Sequence, residues 1–290
     1  MLNKFIKLVE VGPRDGLQNE KSTVSAADKI ILIDLLSETG FSLLEATSFV
    51  SPKWVPQLAD ASDVMAGITR ADNVRYIALT PNMQGFERAC AAGVDEIAVF
   101  AAASETFSQK NINCSIEESL NRFIPVIDAA KAEGIVVRGY ISTVVHCPYE
   151  SAIAPEAVLP IAEQLLEMGC YEISLGDTTG QGTPQTVAAL LSHLTKALPP
   201  ALLAGHFHDT NHQAVANVMT SIDFGLRCFD SAVSGLGGCP YAPGAKGNLS
   251  TRAVAEALHK EGWQTGLDMD KLALAEAHIT SLNLLQTRSS

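Results

Sequence analysis

Short β-rich apolar runs alternate with amphipathic stretches along this chain. The runs occupy eight segments, at residues 6–11, 43–47, 74–80, 96–101, 135–143, 171–176, 202–208 and 228–234. Seven intervals between them contain helical periodicity, for example a stripe of Ile30, Ile33 and Leu36. Strands that alternate with helices form a parallel sheet, and eight such units in about 250 residues fit a (β/α)8 TIM barrel. We therefore predict this α/β barrel, with a doubly wound open sheet as the competing architecture.

The whole chain, residues 1–290, is predicted to form a single barrel domain. No Gly-, Ser- or Pro-rich linker interrupts the alternation of strands and helices. A glycine-rich stretch at 235–248 follows the last strand, and periodicity at 253–260 and 271–285 predicts C-terminal helices. A long loop at this position of a barrel is typical of a lid or a binding loop, and a flexible connector is the alternative.

The composition narrows the classes of function. The formal net charge is −12, and an acidic surface disfavours nucleic acid and anionic membranes as partners. No run approaches the roughly 18 apolar residues of a transmembrane helix, and the N-terminus lacks the features of a signal or transit peptide. The six cysteines are scattered without a CxxC pair, which indicates reduced thiols. We therefore expect a cytoplasmic globular protein that binds neither nucleic acid nor membrane.

In a (β/α)8 barrel the functional side chains gather where the strands end. Arg14 and Asp15 follow the first predicted strand. They indicate either a solvated turn or a carboxylate metal ligand beside a guanidinium that stabilises an oxyanion. Glu45 lies in an apolar stretch at the end of the second strand, where a buried carboxylate needs a partner such as Arg14. Asp177 ends the sixth strand and fits either a helix cap or an active-site role.

The end of the seventh strand is the most informative short segment. Alternate residues of a strand face the same side, so His206 and His208 project together, and neutral imidazole is the commonest metal ligand. Core histidines that are satisfied by hydrogen bonds are the alternative. With Asp15 and with Asn248 from the end of the glycine-rich stretch, the pair offers two oxygen and two nitrogen ligands. This set lacks thiolate and suits Mg²⁺ or Mn²⁺, while Zn²⁺ and Co²⁺ remain open.

Long motifs of the chain closely resemble those of the hydroxymethylglutaryl-CoA lyase family, over nearly the whole sequence. The strongest are VGPRDGLQNEK (11–21), EATSFVSPKWVPQ (45–57), KNINCSIEES (110–119), GCYEISLGDTTG (169–180), GHFHDT (205–210) and GLGGCPYAPGAKGN (235–248). Motifs of this length, in this order, are too specific to match by chance. The family belongs to a wider group of metal-dependent barrels that also contains isopropylmalate and homocitrate synthases.

The resemblance implies a retro-Claisen cleavage of (S)-3-hydroxy-3-methylglutaryl-CoA to acetyl-CoA and acetoacetate, a step of leucine degradation and ketone-body formation. The partner would be an acyl-CoA, and members of the family tend to form homodimers. The resemblance also implies catalytic roles for Arg14, Cys239, His206, Asp177 and Glu45; substrate or CoA contacts for Arg14, Gln18, Lys110, Asn111 and Asn113; and metal binding by Asp15, His206, His208 and Asn248. His206 and Asp15 are both candidates for the general base.

Two segments predicted to lie at the barrel rim depart from the family pattern. Thr143 stands where relatives usually have cysteine, His146 lies near a usual glycine or acidic residue, and Asn211-His212 replaces a common Tyr-Gly. These changes leave the identity of the acyl group open. The main competing function is therefore a lyase for a related branched thioester, such as 3-hydroxy-3-isohexenylglutaryl-CoA. A Claisen-condensing synthase and a non-catalytic binding barrel are less favoured.

Overall fold

Eight parallel strands close into a barrel in the computed structural model, which describes residues 4–18, 20, 22–237 and 247–284. Each strand pairs with its neighbours in chain order, and the first strand also pairs with the eighth. This closure confirms the predicted (β/α)8 barrel over the open sheet. The strands are β1 (Lys7–Glu10), β2 (Leu43–Ser48), β3 (Arg75–Leu79), β4 (Glu96–Ala102), β5 (Val136–Ser142), β6 (Ile173–Asp177), β7 (Leu203–Phe207) and β8 (Cys228–Ser231).

Helices surround the strands and cover their outer faces with apolar side chains. Several begin at a side-chain cap, such as Ser25 and Ser115, whose hydroxyls accept hydrogen bonds from the first helical turn. None of the described helices is long and apolar enough to cross a membrane. The helices are α1 (Ala26–Ser37), α2 (Ala61–Gly67), α3 (Met83–Ala91), α4 (Glu105–Ile112), α5 (Ile116–Ala132), α6 (Pro155–Met168), α7 (Pro184–Leu194), α8 (Ala214–Asp223), α9 (Thr251–Lys260) and α10 (Met269–Ser281).

Some strands end at other residues than the sequence predicts, at the points where the backbone turns into the mouth of the barrel. The fifth strand stops before Thr143, because this residue adopts a left-handed backbone with φ of 60°. The eighth stops at Ser231, and a 3₁₀ turn at Val233–Gly235 follows it. A short hairpin of His146–Cys147 and Ser151–Ala152 was not predicted from the apolar pattern. All these departures lie at the carboxyl ends of strands.

The interior of the barrel combines an apolar cluster with buried charges. Apolar side chains such as Val9, Ile77 and Ala204 fill part of it. Arg138 is fully buried there, with its Nε 3.0 Å from Glu172 Oε1 and its Nη1 2.8 Å from Asp230 Oδ1. An isolated buried charge is strongly unfavourable, so these ion pairs are a condition for placing an arginine inside the barrel.

Glu10 anchors the loop that follows β1. Its buried carboxylate accepts hydrogen bonds from the backbone N–H groups of Gly12 (2.8 Å) and Val233 (2.9 Å) and from the Thr251 hydroxyl (2.8 Å). It therefore joins the end of β1 to the turn after β8 and to the start of α9. The loop itself is one turn of π-helix, Gly12–Gly16, which carries Arg14 and Asp15.

The Glu10 carboxyl should make stability depend on pH. Burial raises its pKa from an ordinary 4.5 to about 7. The folded state thus favours the protonated form, and this contribution is complete below the ordinary pKa and lost as the pH rises through the folded value. We expect Glu10→Gln, which cannot titrate, to gain about 3 kcal/mol of unfolding free energy relative to wild type between about pH 4.5 and pH 8. Urea unfolding at the two pH values measures this difference.

Glutamine retains an oxygen for the two backbone donors and an amide for the Thr251 hydroxyl. Glu10→Ala instead leaves these donors unsatisfied, and it should lose about 2–4 kcal/mol relative to wild type at about pH 4.5. Because alanine does not titrate either, this deficit should shrink by about 3 kcal/mol towards pH 8. A stability difference between Glu10→Gln and wild type that does not change with pH would contradict the buried titration.

Candidate active site at the barrel mouth

Asp15, His206 and His208 converge at the carboxyl ends of the strands. The Nε2 atoms of the two histidines lie 3.3 Å apart, and Asp15 Oδ2 lies 3.8 Å from the first and 3.9 Å from the second. Their potential ligand atoms all fall within 4.8 Å of one another. Both histidines are buried, and Asp15 is partly exposed. Alternation along β7 brings the two imidazoles to the same side, and the π-helical turn after β1 brings the carboxylate to them.

The protonation states of Asp15 and His208 fit a divalent cation. Burial alone would raise the pKa of Asp15, but Arg14 and the two histidines hold it well below its usual range. Burial, and then the neighbouring His206, lowers the pKa of His208 to about 4, so this imidazole is neutral near pH 7. The set therefore supplies one carboxylate and one neutral imidazole. Both groups can bind a metal ion without first losing a proton.

Asn248 contacts the same cluster through its amide nitrogen. Its Nδ2 donates to Asp15 Oδ2 at 2.8 Å and to the Leu236 carbonyl at 3.2 Å. A backbone bridge between His208 and Asn248 fixes this position. The predicted metal-ligand role requires the amide to turn over, so that Oδ1 instead of Nδ2 faces the cluster.

Arg14 forms ion pairs with carboxylates on both sides of its guanidinium. Nη1 lies 2.5 Å from Asp15 Oδ1, and Nη2 lies 2.7 Å from Glu45 Oε2. Arg14 and Glu45 are buried, so this segment is a fixed part of the barrel mouth and not a solvated turn. The buried Arg14 Nε has no hydrogen-bond partner among the described residues. It remains available to an oxygen atom of a ligand.

Asp177 ends β6 as a fully buried carboxylate. One oxygen, Oδ2, accepts the Gly182 N–H at 2.9 Å and closes the turn before α7, whose N-cap is Thr183. The other, Oδ1, is buried without a hydrogen-bond partner within the described ranges. Burial raises the pKa of Asp177 to about 6. One oxygen of Asp177 therefore has a local structural role, and the catalytic role of the side chain stays a prediction.

The residues predicted to contact substrate or CoA lie further out. Lys110, Asn111 and Asn113 lie at the end of α4, on the same face of the barrel, and Lys110 Nζ lies 5.6 Å from the Tyr149 ring centroid. Gln18 follows the π-helical turn, and its buried Oε1 lacks a partner in the described part of the chain. Cys239 lies outside the described residues. The binding roles of the α4 residues and the catalytic role of Cys239 therefore stay predictions.

The four residues that depart from the family pattern occupy different environments. Thr143 is buried, and its N–H donates to the Thr178 hydroxyl at 2.9 Å. His146 is half-buried, with Nδ1 3.1 Å from the Thr179 hydroxyl, two residues beyond Asp177 in the chain. Asn211 and His212 are exposed on the loop after β7. Thr143 and His146 are therefore better placed than the other two to shape a pocket beside β6.

Sequence reasoning missed Asp230, Arg138, Ser174 and Tyr140. Asp230 Oδ2 lies 3.0 Å from His206 Nδ1 and accepts the Ser174 hydroxyl at 2.7 Å. The Tyr140 ring meets His206 edge-on at 6.1 Å. The available signal was a charged residue inside an apolar strand run, which occurs at Arg138 and at Asp230.

Together the closed barrel and the Asp–His–His cluster define a (β/α)8 barrel with a candidate divalent-metal centre at its carboxyl face. A family model described as HMGL-like matches residues 5–279. The chain belongs to the HMGL-like family, as the motifs predicted.

Curated relatives and solved structures agree with this assignment. A cytoplasmic 3-hydroxy-3-methylglutaryl-CoA lyase of Mus musculus is 55% identical over 93% of this chain and 79% of that protein. A mitochondrial hydroxymethylglutaryl-CoA lyase of Bos taurus is 54% identical over 95% of this chain and 85% of that protein. The HMG-CoA lyase of Brucella melitensis has a TM-score of 0.95 and 57% identity, and the match covers 96% of this chain and 98% of that one.

A further solved structure is a complex with ligands. It is an HMG-CoA lyase from Acinetobacter baumannii with coenzyme A and 3-methylmalate. Its TM-score to this chain is 0.92 at 36% identity, and the match covers 97% of this chain and 92% of that one.

Metal binding at the cluster should be measurable through stability. A ligand that binds only the folded state at about 100 times its Kd adds about 2.7 kcal/mol to the unfolding free energy. We expect Mn²⁺ to raise the thermal unfolding midpoint of the wild-type protein and to have little effect on His208→Ala. His212→Ala removes an exposed imidazole from the same loop and should respond as wild type does. Equal protection of all three proteins would exclude His208 from the site.

Proposed function

We propose that the protein is a divalent-metal-dependent carbon–carbon lyase that cleaves 3-hydroxy-3-methylglutaryl-CoA to acetyl-CoA and acetoacetate. The observation that carries this proposal is the cluster of Asp15, His206 and His208 directly beside the buried Arg14. Relatives that are more than half identical over nearly the whole chain bear the name of this activity, which supports the same substrate here.

The metal would be held by Asp15, His206 and His208, together with Asn248 once its amide is turned over. We propose Mg²⁺ or Mn²⁺, because the ligand set contains carboxylate, amide and imidazole but no thiolate. A divalent cation held by these residues would lower the pKa of a substrate hydroxyl and polarise its oxygen. The tertiary hydroxyl and the free carboxylate of the substrate are the groups that suit this position.

Arg14 would stabilise the charge that develops as the C2–C3 bond breaks. The electron pair of that bond passes to the thioester and forms an enolate, while C3 becomes the ketone of acetoacetate. Positioned donors that face such a charge lower the barrier most when they are already oriented. Asp15 and Glu45 hold the guanidinium from two sides, and its Nε has no hydrogen-bond partner in the described part of the chain.

Two proton transfers complete the reaction, and Asp177 is suited to the first. A general base works best with a pKa near the working pH, and burial brings the pKa of Asp177 to about 6. Asp15, whose pKa is far lower, is a weak base, and His206 is committed to the metal in this proposal. The enolate must then gain a proton at C2. We propose Cys239, for which the resemblance implies a catalytic role, as the donor.

Coenzyme A would extend over the rim towards α4. The solved complex of a relative with coenzyme A supports this class of partner. We propose that Lys110 pairs with a phosphate, because an ammonium group on a flexible stem suits such an anion, and that Gln18, Asn111 and Asn113 supply polar contacts. A homodimer and a cytoplasmic location remain predictions, since relatives include forms named cytoplasmic and mitochondrial.

A direct assay tests the proposed activity. Purified protein incubated with 3-hydroxy-3-methylglutaryl-CoA and Mn²⁺ or Mg²⁺ should release acetoacetate and acetyl-CoA, and EDTA should abolish the release. Thioesters with a longer branch at C3, including the isohexenyl compound, should be cleaved more slowly. Absence of metal-dependent product would reject the substrate, and faster cleavage of a longer thioester would reassign it.

Arg14→Lys should separate charge stabilisation from folding. Lysine keeps a positive charge beside Glu45 but loses the planar fork that faces both carboxylates and the ligand. We expect kcat to fall by about 100- to 1000-fold, the cost of losing an oriented donor to a developing anion. Glu45→Gln retains the Arg14–Asp15 pair and should lose less. A kcat for Arg14→Lys close to that of wild type would contradict the role of the guanidinium.

A further inference from the structure

Asp230 connects one ligand of the candidate metal centre to the charged interior of the barrel. It is the register partner of His206 on the adjacent strand. Its Oδ2 lies 3.0 Å from His206 Nδ1 and accepts the Ser174 hydroxyl at 2.7 Å, while its Oδ1 lies 2.8 Å from Arg138 Nη1. All four side chains are buried.

These contacts determine which nitrogen of His206 carries the proton. An ionised carboxylate can only accept, so His206 Nδ1 must be the donor, and the lone pair of the neutral ring is on Nε2. Nε2 is the atom that faces His208 Nε2 at 3.3 Å and Asp15 Oδ2 at 3.8 Å. Metal-binding histidines almost always donate their other ring N–H to a carboxylate, a backbone carbonyl or water, which orients the ring.

Arg138 makes this arrangement rigid. The guanidinium is fully buried and is also held at Nε by Glu172 Oε1 at 3.0 Å, while Glu172 Oε2 pairs with Lys7 Nζ at 3.2 Å. Because an arginine side chain has no acceptor, Arg138 requires an oxygen at the Oδ1 position of residue 230.

We propose that Asp230, oriented by Arg138, is a positioning residue that fixes His206 in the tautomer with a free Nε2 and thereby sets the affinity of the metal centre. This inference rests on the proposed metal-dependent function. It adds a second layer of residues to the site, which reaches from the barrel mouth to its centre.

Asp230→Asn provides a sharp test because it preserves shape and reverses the hydrogen bond. Arg138 should hold the amide oxygen at the Oδ1 position, so the NH₂ group takes the place of Oδ2 and donates to His206 Nδ1. The ring must then carry its proton on Nε2, the atom needed for the metal. We expect Mn²⁺ to bind about 10- to 100-fold more weakly, as is typical when such a partner is removed.

Two measurements follow this change. Isothermal titration calorimetry gives the Mn²⁺ affinity. Long-range ¹⁵N–¹H correlation spectra of the metal-free protein, recorded at alkaline pH where the ring is neutral, give the His206 tautomer, assigned by its loss in His206→Gln. Wild type should show the proton on Nδ1, and Asp230→Asn should show it on Nε2. Glu96→Gln neutralises a different fully buried carboxylate of the barrel, which contacts Tyr171 and Arg75, and it is the matched control, with wild-type tautomer and affinity expected.

The outcomes distinguish this inference from the proposed function. Wild-type protein that binds no Mn²⁺ would reject the metal centre itself. Wild-type protein that binds Mn²⁺ but carries the His206 proton on Nε2 before the metal is added would overturn the role of Asp230, and this result needs no variant to fold. Unchanged affinity in folded Asp230→Asn, or an equal loss in Glu96→Gln, would also overturn it.

Discussion

The pairing of charges inside the barrel is the constraint on which the rest of the site depends. From the lower interior to the mouth, positive and negative groups alternate in the order Lys7, Glu172, Arg138 and Asp230, and Asp230 in turn contacts the His206 ring. Each charge removes much of the desolvation cost of its neighbour, and loss of one member would leave the next uncompensated. His206 is therefore one end of a structural chain, and its ring contacts a carboxylate that is itself held from the centre of the barrel.

A second set of paired charges occupies the other side of the mouth. Arg14 lies between Asp15 and Glu45, and the three groups connect the loop after β1 to the end of β2. Asp15 belongs both to this set and to the histidine cluster. One carboxylate, Asp15, consequently fixes the distance between the candidate metal position and the guanidinium of Arg14. This suits the proposed reaction, in which the substrate hydroxyl oxygen and the thioester enolate must be stabilised together.

The sequence allowed the barrel and the mouth residues to be predicted for a simple reason. Parallel strands in a barrel all end at one face, so residues that follow different strands, such as Asp15 and His208, meet without knowledge of the pairing. The contact between Asp230 and His206 depends instead on the register of β7 and β8, which the apolar pattern does not specify. The π-helical turn and the left-handed Thr143 are likewise local backbone choices that periodicity does not reveal.

The closing pair of strands gives the candidate metal centre a further consequence. Asp15 follows β1, the two histidines lie on β7 and just beyond it, and β8 lies between them and seals the barrel against β1. A cation shared by these side chains would bridge the seam where the start and the end of the barrel meet. Since no such arrangement exists in an unfolded chain, binding free energy would be added to folding free energy. The ion would then stabilise the closed barrel as well as take part in the chemistry. The stability of the folded protein would therefore depend on the concentration of metal.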